Sequence, residues 1–112
     1  MNSIWSYKGK VTNVVDGDTV DVDVDLGFYV STQLRFRLAG IDAHEIRGVE
    51  ESVKALGMEE KRFLEELILD KDVIIQSDKT GKYGRWICEL WLNKENVNFL
   101  MDRYIKDTNR LP

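Results

Sequence analysis

Alternation of apolar and polar residues along the first third of the chain predicts three β-strands. The first strand covers residues 5–15, and residues 16–19 form a turn because their Asp-Gly pair tolerates positive φ angles. The second strand has an acidic face and an apolar face, and the apolar face consists of Val20, Val22, Val24 and Leu26. We expect a long hairpin over residues 27–33, followed by a third alternating strand over residues 34–38.

A helical period replaces this alternation after a polar segment at residues 46–55. The apolar positions of the first helix recur every three or four residues, at Leu56, Phe63, Leu64, Leu67 and Ile68. We expect this helix to begin near Gly57. That start puts Glu59 and Glu60 in the first turn, where the helix dipole favours anions.

Two short strands at residues 73–76 and 85–92, a turn at residues 93–96 and an amphipathic helix from Val97 complete the pattern. The order of three strands, a helix, two strands and a helix predicts a mainly β fold with α-helices, namely a five-stranded OB-fold barrel with two helices. Such barrels commonly bind nucleic acids or sugars, although a fold class alone does not specify a function. A chain of 112 residues is expected to form a single domain, residues 1–112.

The composition excludes several classes of protein. The 43% hydrophobic and 32% charged residues are typical of a soluble globular protein, and no apolar run approaches the roughly 20 residues of a membrane span, so no membrane partner is expected. The N-terminal residues lack the pattern of a signal peptide, which predicts either a protein that stays inside the cell or an export segment already removed. Cys88 is the single cysteine, which excludes an intrachain disulfide.

Residues 37–45 combine an arginine at the end of the third strand with two carboxylates, Asp42 and Glu45, in the loop that follows. Taken alone, this stretch favours a salt bridge over a site for a cation and a phosphate. Asp18 and Arg85 change the balance, because aspartates from two loops can hold a hard cation and two arginines can neutralise a phosphate. The formal charge of −4 argues against simple nucleic-acid binding, but a carboxylate cluster counts as negative until its metal binds.

Three blocks of sequence resemble the staphylococcal nuclease (thermonuclease) family. They are residues 14–19, residues 37–45 and residues 82–85, and they occur in the order and with the spacing that the family shows. Val97 and Asn98 before the last helix are a weaker match. The resemblance covers roughly residues 8–104 and implies a five-stranded OB barrel with helices.

The resemblance implies a calcium site. Asp18 and Asp42 match the calcium-binding carboxylates, and Ala43 matches a position that gives calcium its backbone carbonyl. Asp16 and Thr19 belong to the same turn as Asp18 and are expected to support it without touching the metal.

The resemblance also implies a catalytic set beside the metal. Glu45 matches the general base, and Arg37 and Arg85 match the arginines that bind the scissile phosphate and stabilise its transition state. Lys82 and Tyr83 match positions that contact a terminal phosphate of a bound nucleotide. The expected activity is calcium-dependent hydrolysis of DNA and RNA, single-stranded or frayed, with water attacking phosphorus and the 5′-oxygen leaving to give 3′-phosphate ends.

The chain departs from the family pattern in places. His44 stands where the family usually has proline, and we expect it to fill space rather than to touch a phosphate. The family's third, C-terminal helix has no counterpart in these residues, so a monomer or a homodimer covering the exposed face is expected. The acidity predicts weak substrate affinity with a steep salt dependence. Two other interpretations are open: a non-catalytic nucleic-acid-binding module of the same family, and a purely structural calcium site.

Overall fold

The structure, a computed structural model, describes residues 5–80 and 85–108. Its elements in chain order are β1 (Trp5–Asp16), β2 (Thr19–Asp25), β3 (Ser31–Leu38), α1 (Glu51–Ile68), β4 (Asp72–Thr80), β5 (Trp86–Leu92), β6 (Glu95–Asn96) and α2 (Val97–Thr108). Valine-rich alternation in β2 is well suited to a strand with one buried face. Its three valines are buried, while the aspartates between and after them face outward.

The strands close into a barrel. Neighbouring strands follow the order β3-β2-β1-β4-β5-β6, and β3 also pairs with β5. The β3–β5 pairing is parallel, from Phe36 opposite Trp86 to Leu38 opposite Cys88, whereas the other pairings are antiparallel. Five strands thus form a closed mixed barrel with two helices outside it, and the predicted OB-type barrel with two helices is confirmed.

The apolar core fills the barrel and the space under the helices. Helix α1 buries Leu64 and Ile68, and α2 buries Val97, Met101 and Ile105, in agreement with the predicted apolar faces. Cys88 is buried in the same core, and burial raises the pKa of its thiol. No helix among the described residues is long and apolar enough to cross a lipid bilayer.

The predicted start of α1 is wrong. The helix begins at Glu51, so Gly57 lies in its second turn and Glu60 near its middle, not in the first turn. The first turn of α1 is mostly exposed and polar, and its single apolar residue, the half-buried Val53, does not by itself establish a helical period.

Other predicted boundaries are wrong in the strands. The β2–β3 hairpin is shorter than expected, because Ser31 already pairs with Asp25. Strand β4 is longer than residues 73–76, since it pairs with β1 from Asp72 to Ser77 and with β5 as far as Thr80. The expected turn at residues 93–96 contains the two-residue strand β6. In each case the hydrogen-bonded partner strand, not local polarity, sets the boundary.

Candidate active site

The turn between β1 and β2 holds Asp18 in a buried position. The Asp18 backbone N–H donates to Oδ1 of Asp16 over 3.1 Å, and the Thr19 hydroxyl donates to Oδ1 of Asp18 over 2.8 Å. Asp18 is only 6% exposed. Asp16 and Thr19 thus hydrogen-bond to Asp18, and their role beside a metal stays a prediction.

The end of β3 packs against the same turn. The Leu38 N–H donates to the Asp18 carbonyl over 2.8 Å, and the Ala43 N–H donates to Oδ2 of Asp18 over 3.1 Å. The buried carboxylate therefore accepts a hydrogen bond from its own turn and another from residues 42–45, which we call the acidic loop. Two segments that are distant in sequence meet at one side chain.

Arg37 bridges the two aspartates predicted to bind metal. Its Nη1 lies 3.5 Å from Oδ2 of Asp18 and its Nη2 lies 3.8 Å from Oδ1 of Asp42. Nη2 also donates to the Ile41 carbonyl over 3.1 Å. Both carboxylate distances are longer than a usual charge-assisted hydrogen bond, so the ion pairs restrain the guanidinium only weakly. The Asp42 side chain is 97% exposed and faces solvent.

The pKa values of the two turn aspartates, Asp16 and Asp18, shift in opposite directions. Burial, helped by a hydrogen bond with Asp18 and by its negative charge, raises the pKa of Asp16 from 3.8 to about 6. Burial alone would also raise the pKa of Asp18. Hydrogen bonds with Asp16, Thr19 and the Ala43 N–H, together with the charge of Arg37, nevertheless lower it below its ordinary value. As the pH falls, Asp16 therefore takes up a proton before Asp18 does.

Glu45 and Arg85 lie near this cluster in the chain path but are not joined to it. Glu45 is exposed in the acidic loop, and Arg85 is half-buried just before β5. Because Arg37 pairs with Ile87 across the parallel β3–β5 ladder, Arg85 enters the barrel on the strand next to Arg37. Among the described residues, neither side chain forms a hydrogen bond or ion pair with Asp18, Arg37 or Asp42. The predicted phosphate contacts Lys82 and Tyr83 lie outside the described residues.

Sequence reasoning missed Glu60 as a contributor to this region. The His44 N–H donates to Oε1 of Glu60 over 2.7 Å, and Nδ1 of His44 lies 2.8 Å from Oε2. Glu60 is 1% exposed. His44 thus hydrogen-bonds the acidic loop to helix α1 and does not merely fill space. A glutamate on the apolar-facing side of a helix was the available signal, but the misplaced helix start hid it.

Asn98, the weaker match before the last helix, holds the same, C-terminal end of β3 from the other side of the chain, at Ala39. Its amide nitrogen donates to the Ala39 and Cys88 carbonyls over 3.0 Å each, and its oxygen accepts the Leu90 N–H over 3.1 Å. One buried side chain therefore joins the exit of β3 to β5 and to the start of α2. This contact holds the strand that carries Arg37 in register.

The donor set suits a hard divalent cation only in part. Asp18, Asp42 and the Ala43 carbonyl would offer the oxygen ligands that calcium prefers. Residues 5–80 and 85–108 contain no group of three His, Cys, Asp or Glu side chains placed to hold a metal together. The single positive charge of the Arg37 guanidinium lies near both carboxylates and offsets only part of their combined negative charge.

A wide groove on the described surface lies elsewhere. It has a volume of about 930 Å³ and is bordered by residues of both charges, including Lys8, Lys10, Asp23 and Asp25. None of the predicted site residues borders it. Hydrogen bonding and buried charge, not concavity, therefore mark the region around Asp18 as the candidate site.

The chain is similar in sequence to a family of nuclease homologues and to several curated proteins. Residues 35–104 match the family described as staphylococcal nuclease homologue. The thermonuclease of Staphylococcus hyicus is 34% identical over 91 residues, which are 80% of this chain and 51% of that protein. Protein ParB of Escherichia coli is 33% identical over 92 residues, which are 81% of this chain and 46% of that protein.

A further relative is the micrococcal nuclease of Shigella flexneri, 33% identical over 82 residues that make up 72% of this chain and 41% of that protein. The chain spans about half the length of the curated relatives it matches. The family match covers well over half of the chain, including Arg37, the acidic loop and Arg85. The chain belongs to the staphylococcal nuclease family.

Proposed function

We propose that this chain is a calcium-dependent nuclease that hydrolyses phosphodiester bonds of DNA and RNA. The observation that carries the proposal is the position of Arg37 between the Asp18 and Asp42 carboxylates, at 3.5 and 3.8 Å. Family membership and nuclease-named relatives support a nuclease-like function. Calcium, the choice of substrate and the residue roles are part of the proposal.

The proposed cation site uses Asp18, Asp42 and the Ala43 carbonyl. Calcium bound there would supply positive charge beside a substrate phosphate. The Thr19 hydroxyl and the Ala43 N–H hold the Asp18 carboxylate in one orientation, and this orientation exists before any ligand arrives. Preorganised charge of this kind is what electrostatic catalysis requires.

The proposed chemistry uses Glu45, Arg37 and Arg85. Glu45 takes a proton from the attacking water, and the new bond forms between that water oxygen and phosphorus. The bond to the 5′-oxygen breaks, this oxygen takes up a proton from solvent to become a hydroxyl, and a 3′-phosphate remains. Arg37 and Arg85 bind the non-bridging oxygens and neutralise the charge that develops on them. Arg37 is half-buried and weakly paired, so it can turn towards a phosphate.

The experiment is digestion of denatured DNA, with release of acid-soluble nucleotides measured in calcium and in chelator. We expect release in calcium, none in chelator, and a loss of about 10²- to 10⁴-fold in turnover for Glu45→Gln, because a general base typically contributes that much. Equal turnover of Glu45→Gln and the unaltered protein would contradict the assignment of the base. Binding of denatured DNA without release in calcium would instead identify a non-catalytic binding module.

A further inference from the structure

We infer that Glu60 is the positioning residue for the acidic loop, and that helix α1 thereby aligns the catalytic set of the proposed nuclease. The inference rests on the proposed function, because it assigns a role in that reaction to a helix that contributes none of the proposed reacting groups. The structural part of the inference, that Glu60 holds the loop, can be tested without any activity.

Both oxygens of the Glu60 carboxylate bind one residue of the acidic loop. Oε1 accepts the His44 backbone N–H over 2.7 Å, and Oε2 lies 2.8 Å from His44 Nδ1. A carboxylate that is 1% exposed is costly to bury unless such bonds compensate for its lost hydration. The pair therefore fixes the backbone and the side chain of His44 at the same time.

Close packing on the same face of α1 reinforces this contact. Gly57 lies three residues before Glu60, on the same side of the helix. A Cβ atom added at Gly57 would lie 2.8 Å from the His44 carbonyl oxygen and 3.0 Å from the Glu45 carbonyl oxygen. The backbone of α1 thus touches the loop directly at the residue proposed as general base.

The same glutamate also contacts the turn that carries Asp18. A Cβ atom at Gly17 would lie 2.9 Å from Cβ of Glu60 and 2.9 Å from Cβ of Ala43. The turn, the acidic loop and α1 therefore meet at one crowded point. A shift of Glu60 would move the loop relative to Asp18, not merely loosen the helix.

The two hydrogen-bonded residues of the acidic loop lie between the two residues whose side chains have proposed functions. Ala43 and His44 are tied down by hydrogen bonds to Asp18 and Glu60, whereas the flanking Asp42 and Glu45 side chains are exposed and free to meet a ligand. With few restraints of its own, Glu45 takes its position from its neighbour His44. Misplacement of a catalytic group by about 1 Å can cost on the order of 10²-fold in rate.

The test compares Glu60→Ala, Glu60→Gln and the control Glu59→Ala in digestion of denatured DNA with calcium. We expect Glu60→Ala to lower kcat by about 10- to 100-fold with little change in KM, since substrate binding by the arginines is retained. Glu60→Gln keeps an oxygen that accepts the His44 N–H, so it should recover most of the lost kcat. Glu59→Ala, at an exposed neighbouring position, should behave like the unaltered protein.

Amide hydrogen exchange provides the readout that does not depend on activity. Compared with the unaltered protein, the His44 amide should exchange faster in Glu60→Ala and only slightly faster in Glu60→Gln. Its exchange should not change in Glu59→Ala. An unchanged His44 amide, or an unchanged kcat in folded Glu60→Ala, would overturn the inference. If Glu60→Ala does not fold, His44→Ala carries the test, because it removes the Nδ1 contact, keeps the backbone N–H and should lower kcat. An unchanged kcat in folded His44→Ala would then overturn the inference.

Failure of the inference and failure of the proposed function can be told apart. If the unaltered protein releases no nucleotides in calcium, the proposed nuclease activity fails, while the exchange measurements still decide whether Glu60 holds the loop. If the protein cuts DNA and Glu60→Ala cuts equally well, the positioning role fails and the nuclease proposal stands.

Discussion

At the residue scale, two arginines on β3 show how similar side chains acquire different roles. Arg35 and Arg37 lie on one face of β3, and the apolar residues that alternate with them lie on the other face. Arg35 makes two short bonds to Asp21, with Nε to Oδ1 at 2.8 Å and Nη2 to Oδ2 at 3.2 Å. Arg37 makes only long contacts to its two aspartates. The first arginine is committed to a fork-like ion pair, and the second is available for a ligand.

This contrast makes Arg35→Ala a matched control for Arg37→Ala. We expect Arg37→Ala to lose about 10²- to 10³-fold in turnover, because it removes one transition-state donor. Arg35→Ala should keep its turnover and lose about 0.2–1 kcal/mol of folding free energy, the usual contribution of an exposed ion pair. Steady-state kinetics and urea denaturation of both variants measure the two effects. Similar kinetics for the two variants would contradict the role given to Arg37.

The Asp21–Arg35 pair predicts a specific dependence of stability on pH. The hydrogen bond from Arg35 lowers the pKa of Asp21 below its ordinary value of 3.8. A carboxyl whose pKa is lowered by folding stabilises the protein above its unfolded-state pKa, and this contribution disappears as pH falls through the folded-state pKa.

We therefore expect Asp21→Asn to be less stable than the unaltered protein at pH 7 and equally stable once the pH is well below 3.8. Melting temperatures between pH 2 and pH 7 measure this convergence. Asp23→Asn on the same strand is the control, because Asp23 forms no ion pair among the described residues. A stability difference that stays constant down to the lowest pH would contradict the account.

At the scale of elements, α1 matters more for its contacts with the acidic loop than for its apolar stripe. Its stripe covers the barrel through Leu64 and Ile68, as the sequence predicts. It also places Gly57 and Glu60 against the loop, where Gly57 allows a close backbone approach and Glu60 supplies a buried acceptor. The helix thus connects the core of the barrel to the candidate site.

Gly57→Ala tests the close approach. In an exposed helix interior, alanine is more favourable than glycine by about 0.8–1 kcal/mol. Here the added methyl group would meet two backbone carbonyl oxygens at 2.8 and 3.0 Å, which cannot move without displacing the loop. Overpacking costs about 1–3 kcal/mol, so we expect a net loss of stability despite the better helix propensity. Urea denaturation measures it, with Met58→Ala as the exposed control. A stabilised Gly57→Ala protein would show that the loop yields easily.

At the scale of the whole molecule, the closed barrel joins distant segments into one site. Asp18 comes from the β1–β2 turn, Arg37 and the acidic loop from the end of β3, and Arg85 from the entry to β5. The parallel β3–β5 pairing closes the barrel next to both arginines. A cation held by Asp18 and Asp42 would therefore bind the folded chain and not the unfolded one.

Calcium is accordingly expected to raise the free energy of unfolding. At a calcium concentration 100 times the dissociation constant, the gain should be about 2.7 kcal/mol. Asp42→Asn should reduce this gain, and Asp23→Asn, which removes an exposed aspartate on β2, should not. Thermal unfolding with and without calcium gives the comparison, and magnesium serves as the ion control. If calcium stabilises the protein but an added nucleotide brings no further gain, the site would be structural and not catalytic.

The element types and most of the site were open to prediction from the sequence. Period-two alternation in β2 and β3 and the helical period of α2 follow directly from the apolar positions, because burial of one face imposes those periods. Asp18, Arg37 and Asp42 were predicted to act together, and the structure brings them together. Their roles towards metal and phosphate stay predictions.

Tertiary structure alone decided the boundaries and the support of the acidic loop. Strand β4 reaches Thr80 because β5 supplies partners to a polar segment, and α1 starts at Glu51 although Val53 is the only apolar residue of its first turn. His44 and Glu60 are sixteen residues apart and belong to different elements. No local pattern records such a pair, since the bond exists only where the barrel and the helix bring the two backbones together.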